Sequence, residues 1–345
     1  MTIKDVAIRA GVSLGTASKV LNGDKSVKES NRKAVEEAVQ FLNYNVNMLA
    51  RSLAHKPIKL GILLPFAFEN VYRELLSGIN DAIEALSDYK VTAFFRSYRD
   101  YNDSEAFCAA LDEFEQEDVQ GLVVGPSYVG SHTKRIEELR DKGIVVIAVV
   151  SDVKHVGCLA GIRVDAIASG QIAADLSRLL LRDDESVAVI VGDMDMEEHS
   201  NKAQSFSRRA KETGVPLVGV YEDHSKVENA YRLTESLLKS EPDLRLIYVA
   251  TANSVSVCKC IYDYGKAHQV RVIATDVLAE LKPFILDGTV IAILNQHLKR
   301  HGKAAVNVLY SYLREGMLKK EETRIRPDLL LQNGMLEKLE SESEN

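Results

Sequence analysis

Apolar positions recur along the chain in two rhythms. Over the first forty residues they come three and four apart: Ile3, Val6, Ala7 and Ala10, then Ala17, Val20 and Leu21, then Val35, Ala38, Val39 and Leu42. That spacing predicts three short amphipathic helices. Thr2 and Asp5 make a T-x-x-D start for the first, and Gly11 ends it. Ser13 caps the second, Asn22-Gly23 stops it, and Ser30 caps the third. Two helices joined by a tight Gly-containing turn and followed by a third describe a helix-turn-helix unit. From Ile58 onward the rhythm changes to unbroken apolar runs alternating with helical segments.

The second helix is unusual on its outer face. Leu14, Gly15, Ser18 and Lys19 point away from the apolar stripe, so the face is small, spare and lightly basic. A recognition helix must fit a major groove about 12 Å wide, and small residues near its start let the backbone approach the base edges. Leu14 can meet a thymine methyl, Lys19 can donate to guanine O6 or N7, and Ser18 can reach a phosphate or a base edge. The alternative is a three-helix module that docks a protein. Next, Asn47 can cap a short helix over 48–54. It is shorter than the ~12 residues that hold together alone in water. It is either a plain linker or a helix that forms only when paired with its copy on DNA. In the second case Leu53 would wedge into the minor groove and Arg51 would contact phosphate.

Residues 2–55 resemble the DNA-binding head and hinge of LacI/GalR-type bacterial regulators. The matching pieces, in order and spacing, are "IKDVAIRAGVS", "TASKVLNG", "RKAVEEAVQFLNY" and "ARSLA". The resemblance implies a homodimer reading a near-palindromic operator, and completes a DNA-contacting set of Leu14, Gly15, Thr16, Ser18, Lys19, Asn22, Asn31, Arg32, Asn47, Arg51 and Leu53. The family usually has Pro before the Asn that begins the hinge helix; this chain has Val46.

The longer part reads as two series of strands alternating with helices. The first runs through "IKLGILL", "KVTAFFR", "GLVVG" and "IVVIAVV". The second runs through "VAVIVG", "PLVGVY", "LRLIYVA" and "VRVIATD", and "TVIAILNQ" then leads into a helix over 298–315. Such alternation predicts parallel sheets with right-handed crossovers, hence two doubly wound α/β lobes. This part resembles a type I periplasmic-binding-protein fold, whose chain crosses between lobes three times. The crossings are expected near 160–164, 288–292 and 322–326. The expected division is a head at 1–46, a hinge at 47–57 and a two-lobed core at 58–336. Lobe 1 takes about 58–160 and 293–322, lobe 2 about 164–288 and 326–336. The polar tail 337–345 is expected to be disordered.

Ligands of doubly wound sheets bind at the carboxyl ends of the strands. The residues there are Phe66, Phe68 and Tyr72 after the first strand, and Ser127 and Tyr128 after the third. In the second series they are Asn253, Asp276 and Gln296. The resemblance makes Asp276 an acceptor for ligand hydroxyls. It also adds Lys202, which stands where the family usually carries Arg and is a point donor rather than a bidentate fork. Each of these residues alone is compatible with ordinary loop polarity. A carbohydrate effector between the lobes is the expectation.

Charge agrees with this division. The net charge of -7 is uneven: residues 1–56 carry nine Lys/Arg against five Asp/Glu, the remainder 34 against 45. A basic head on an acidic body suits a polyanionic partner. No run of about 18 apolar residues predicts a membrane span, and the charged N-terminus lacks a signal-peptide pattern, so a cytoplasmic location is expected. Cys108, Cys158, Cys258 and Cys260 give no disulfide framework.

Enzyme signatures are weak. "GPSYVG" has its second Gly one residue late for a nucleophile elbow. "DMDMEEHSNKAQ" has Glu198 and Gln204 where a calcium loop needs Gly and Glu. His297 and His301 read as a solvated helix face rather than a metal pair, and no phosphate-binding Gly loop is present. No catalytic residue, metal or cofactor is expected. The favoured reading is a ligand-responsive, DNA-binding repressor. A sugar-binding module with a protein-docking head and a two-lobed enzyme remain as alternatives.

Overall fold

The computed structural model describes residues 3–21, 26–42, 56–65, 69–99, 103–125, 131–150, 157–316, 318 and 323–343. Two compact units emerge, residues 1–58 with 85–92 and residues 59–84 with 93–345.

The head consists of α1 (Ile3–Ala10), α2 (Leu14–Leu21) and α3 (Glu29–Phe41). Val6, Ala7, Ala17, Val20, Val35 and Ala38 form its buried core, the residues that the helical spacing turned inward. Gly11 sits at φ +65°, and a Cβ there would meet nothing within 4 Å. It is required by backbone conformation alone, which L side chains rarely adopt. The Ser13 hydroxyl accepts the Thr16 N–H at 3.1 Å, capping α2. Ser30 is not a cap: α3 already begins at Glu29, and the flanking Lys28 contributes its backbone carbonyl to Asn31 and Arg32 N–H.

The body carries two six-stranded sheets. The strands and helices of the first lobe are β1 (Ile58–Pro65), α4 (Glu69–Ala85), β2 (Val91–Tyr98), α5 (Ser104–Gln116), β3 (Gly121–Val124), α6 (Ser131–Asp141), β4 (Val145–Val149) and β5 (Ala160–Val164). The second lobe follows with α7 (Ala166–Leu180), β6 (Ser186–Val191), α8 (Glu197–Thr213), β7 (Leu217–Glu222), α9 (Val227–Ser240), β8 (Leu244–Val249), α10 (Ser254–Asp263), β9 (Arg271–Thr275), α11 (Lys282–Leu286) and β10 (Val290–Asn295). The chain then returns with α12 (Leu298–Glu315) and β11 (Arg324–Ile325), and ends in the second lobe with β12 (Asp328–Leu330) and α13 (Gln332–Ser343).

Strand order is β11-β5-β4-β3-β1-β2 in the first sheet and β12-β10-β9-β8-β6-β7 in the second. β12 runs antiparallel to β10; the other described registers are parallel. Both orders reverse beside the lobe's first strand, the switch point at which open α/β sheets take ligands. Residues 187–191 are all fully buried, as expected of a strand covered on both faces.

Three details differ from the sequence reading. The crossings fall at Asp165, at Gln296–His297 and at residues 326–327, after the strands rather than on them. Residues 160–164 therefore pair in the first sheet, and residues 293–295 in the second. The tail from 337 is helical through Ser343, because Met335 and Leu339, one turn apart, are buried in the second lobe's core. Lys338 on this helix also reaches Glu74 of α4 in the first lobe at 2.7 Å. His301 is 1% exposed rather than solvated, since α12 packs on β3, β4 and β5.

Candidate functional site

On the head, α2 presents Leu14, Gly15 and Lys19 in the open, with Thr16 and Ser18 half-exposed. Leu14 is 51% exposed although it opens a helix whose other apolar residues turn inward. The Thr16 hydroxyl pairs with the Ser13 hydroxyl at 2.8 Å, so Thr16 also belongs to the cap. Asn31 and Arg32 stand at the start of α3, where Arg32 makes a long 3.7 Å pair with Glu29. Asn22, Asn47, Arg51 and Leu53 lie outside the described residues. The exposed small residues, one cation and a cap that fixes the helix start are what groove entry requires.

In the body, a cleft opens where strands of the second sheet end. Tyr72 of α4 and Val150 after β4 contribute to it from the first lobe. From the second come Glu198, His199 and Lys202 of α8, Thr251 and Asn253 after β8, Asp276 after β9 and Gln296 after β10. The sequence reading named Tyr72, Lys202, Asn253, Asp276 and Gln296 of this set. Phe66, Phe68, Ser127 and Tyr128 lie outside the described residues. Glu198, His199 and Thr251 were missed. The signal for Glu198 was present: it stands four residues before Lys202 at the start of a helix that follows a strand, which places both on one face.

Burial decides the chemistry of these groups. Asp276 is 5% exposed and sits at φ +58°, a left-handed conformation that Asp tolerates better than most residues. Its Oδ1 accepts the Gln296 backbone N–H at 3.1 Å and its Oδ2 the Gln296 side-chain amide at 2.6 Å. Burial pushes the Asp276 carboxyl up to about 6, against the lowering effect of those two bonds. Lys202, 2% exposed, donates to Glu198 at 2.6 Å and to the Gln296 carbonyl at 3.0 Å. Burial opposes charge on Glu198, but the charge and hydrogen bond of Lys202, together with the nearby histidines, hold the carboxyl below the ordinary carboxylate value.

The close approach of α7 shapes this wall. A Cβ at Gly170 would lie 2.8 Å from the Phe206 backbone nitrogen and still closer to the Lys202 carbonyl. Only glycine lets the two helices meet there. His199 receives the Asp193 N–H on Nδ1 at 3.0 Å, which leaves Nε2 as its protonated nitrogen. Burial lowers the His199 imidazole, so it is a neutral donor near pH 7. Asn253 lines the cleft while its amide donates to Asp223 at 2.8 Å, beside Thr251 on the same carboxylate at 3.1 Å. Asp223 is therefore a buried support for the wall, its carboxyl raised by burial.

Among the described residues no group of three His, Cys, Asp or Glu is placed to hold a metal ion, and no helix is long and apolar enough to cross a membrane. Burial pushes the Cys158 thiol up to about 12 and that of Cys260 to about 11. Thiols so raised are poor nucleophiles at neutral pH.

A capped, open-faced helix-turn-helix head in sequence with a two-lobed body holding a polar cleft defines a ligand-responsive transcriptional regulator. Residues 60–317 match the family described as periplasmic binding protein domain, and residues 2–47 match bacterial regulatory proteins, lacI family. The chain belongs to the periplasmic binding protein domain family, and its head is of the lacI type. Catabolite control protein A of Streptococcus mutans is 28% identical over 248 residues, 70% of each chain. That of Priestia megaterium is 27% identical over 256 residues, 73% of this chain and 74% of its own. In fold, the body is similar to GanP, a glucose-galactose binding protein from Geobacillus stearothermophilus. The TM-score is 0.71 at 18% identity, covering 81% of this chain and 99% of that one. It is also similar to AraP, an arabinose binding protein from the same organism, with a TM-score of 0.71 at 17% identity, covering 82% and 99%.

Proposed function

We propose that the protein is a cytoplasmic homodimeric repressor that binds operator DNA through residues 1–46. A small carbohydrate in the body's cleft controls that binding. The observation that carries this reading is the cleft itself. It gathers Asp276, Gln296 and Asn253 at the ends of strands with His199 of α8, polar groups of the kind that fix sugar hydroxyls. The similarity in fold to proteins described as binding glucose, galactose or arabinose supports a sugar as the effector.

Two copies are needed because one α2 reads one half-site, and a near-palindromic operator presents two. An apolar groove on the first lobe, lined by Ile62, Leu64, Leu76 and Phe95 beside the edge strand β2, supports a second copy there. On this reading the hinge over 47–57 also meets DNA, Leu53 entering the minor groove and Arg51 contacting phosphate. The effector changes the balance between two dimer geometries, and it acts only as far as it binds one better than the other.

The test is a gel-shift measurement on full-length protein with upstream genomic DNA, with and without a panel of free sugars. Sequence-selective binding that one sugar alters is the expected result. A lone subunit indifferent to every duplex overturns the reading.

A further inference from the structure

We infer that Glu198 sets the cleft's selectivity: by holding Lys202 in an ion pair, it admits uncharged, polyhydroxylated ligands and rejects phosphorylated or carboxylated ones. This rests on the reading that the cleft binds a small-molecule effector.

Lys202 is the single Lys or Arg among the described residues that line the cleft. A cation there would ordinarily mark a site for an anion. Here two of its three N–H groups are already used, on Glu198 at 2.6 Å and on Gln296 at 3.0 Å. The pair is deeply buried, with side chains 2% and 10% exposed. Separating two such charges without replacing both sets of partners is costly, so the ammonium stays committed. The next charge on the wall is Asp276, a carboxylate whose two oxygens contact only Gln296 among the described residues. An incoming phosphate or carboxylate would face two carboxylates and one cation already satisfied, at close range and low dielectric.

A neutral polyol meets the same groups favourably. Its hydroxyls donate to Asp276 and accept from the His199 Nε2–H, which is uncharged. Glu198 stands one turn before Lys202 on α8, and its carboxylate is taken up by that ion pair. It therefore acts as a specificity determinant without serving as the acceptor for ligand hydroxyls.

The experiment uses full-length protein and thermal shift plus calorimetry. The probes are inorganic phosphate, a panel of D-glucose, D-galactose, L-arabinose, D-xylose and D-ribose, and glucose 6-phosphate. Wild type is expected to bind a free sugar at least about tenfold more tightly than the phosphate ester, and to show no response to phosphate beyond chloride at equal ionic strength. Glu198→Gln keeps the shape, frees Lys202, and is expected to gain at least about tenfold in phosphate affinity; adding Lys202→Met removes the gain. Tight phosphate or ester binding by wild type that Lys202→Met abolishes overturns the inference. So does a folded Glu198→Gln protein with no gain. If Glu198→Gln fails to fold, the wild-type phosphate titration decides alone. A wild type that takes no sugar of any kind overturns the carbohydrate reading, while the phosphate arm still decides the charge selectivity.

Discussion

Asp276 is held at both carboxylate oxygens by one residue, Gln296, through its backbone N–H at 3.1 Å and its side-chain amide at 2.6 Å. Gln296 stands on the second crossing between lobes, so the group placed to receive a ligand hydroxyl is also bonded to a hinge. A hydroxyl that donates to Oδ2 uses the lone pair that the Gln296 amide leaves open and so joins the same network. Asp276→Asn is expected to abolish the effect of sugar on operator binding while leaving the affinity for DNA within about threefold, since head and cleft are separate sites. Gel shifts with and without sugar check this, and loss of operator binding together with sugar response would make Asp276 structural instead.

Acid stability gives a second test, because two buried groups pull in opposite directions. Asp276 titrates near 6 when folded against 3.8 in the unfolded chain, so the native state binds the extra proton and stability falls as pH rises from about 4 to 6. His301 titrates near 4 when folded against 6.5 unfolded, lowered by burial, so its contribution is lost as pH falls through the same window. Each effect is of the order of 3 kcal/mol across its window. Wild type is expected to change little between pH 4 and 6 from these two groups. Asp276→Asn removes one of them, and urea midpoints for the variant should fall more steeply on acidification than those of wild type.

The head offers a test separate from the body. Ser13→Ala removes the cap on Thr16 N–H and is expected to cost the head about 1 kcal/mol. Operator binding should weaken, while sugar binding by the body stays unchanged. Calorimetry with each ligand alone separates the two; loss of sugar binding in the absence of DNA would show that the cap also supports the cleft.

Base recognition is expected to divide between two positions. Lys19→Ala should relax preference at one base pair, at a cost of about 1–3 kcal/mol for the correct base. Arg32→Ala should weaken binding to all sequences alike and reduce the salt slope by about one. Binding measured across a mutated operator set and a salt series distinguishes them.

The C-terminal helix is expected to be structural. Met335 is fully buried in the second lobe's core. Met335→Ala should cost about 2–5 kcal/mol of body stability. A melting temperature unchanged within a degree would remove α13 from the core.

Much of this was legible in the sequence, and the exceptions have physical causes. Helix period alone found Val6, Ala17 and Val35, and continuous apolar runs found β1 to β4 and β6 to β10. β5 was misread as a crossing because "AGIRV" is short and mixed, and it gains its place only by pairing with β4 and β11. The tail was misread because "EKLESESEN" is polar by composition, whereas burial of Leu339 depends on a partner surface far away in sequence. Ser30 lost its cap role to a backbone start one residue earlier. In the cleft, Asp276 and Gln296 were found from their position after strands. Glu198 enters the sequence reading only as a residue that spoils a calcium loop, since nothing local says that α7 packs against α8 at Gly170.

The antiparallel β12 and the two-residue β11 complete opposite sheets from within seven residues of each other, after all the other strands of both lobes. Neither lobe can close its last strand until residues 324–330 have left the ribosome, so β5 and β10 stay as bare edges on the nascent polypeptide until then. The head, by contrast, precedes both lobes in the chain and holds its own small core. A growing chain is therefore able to form its DNA-reading part long before the part that would regulate it.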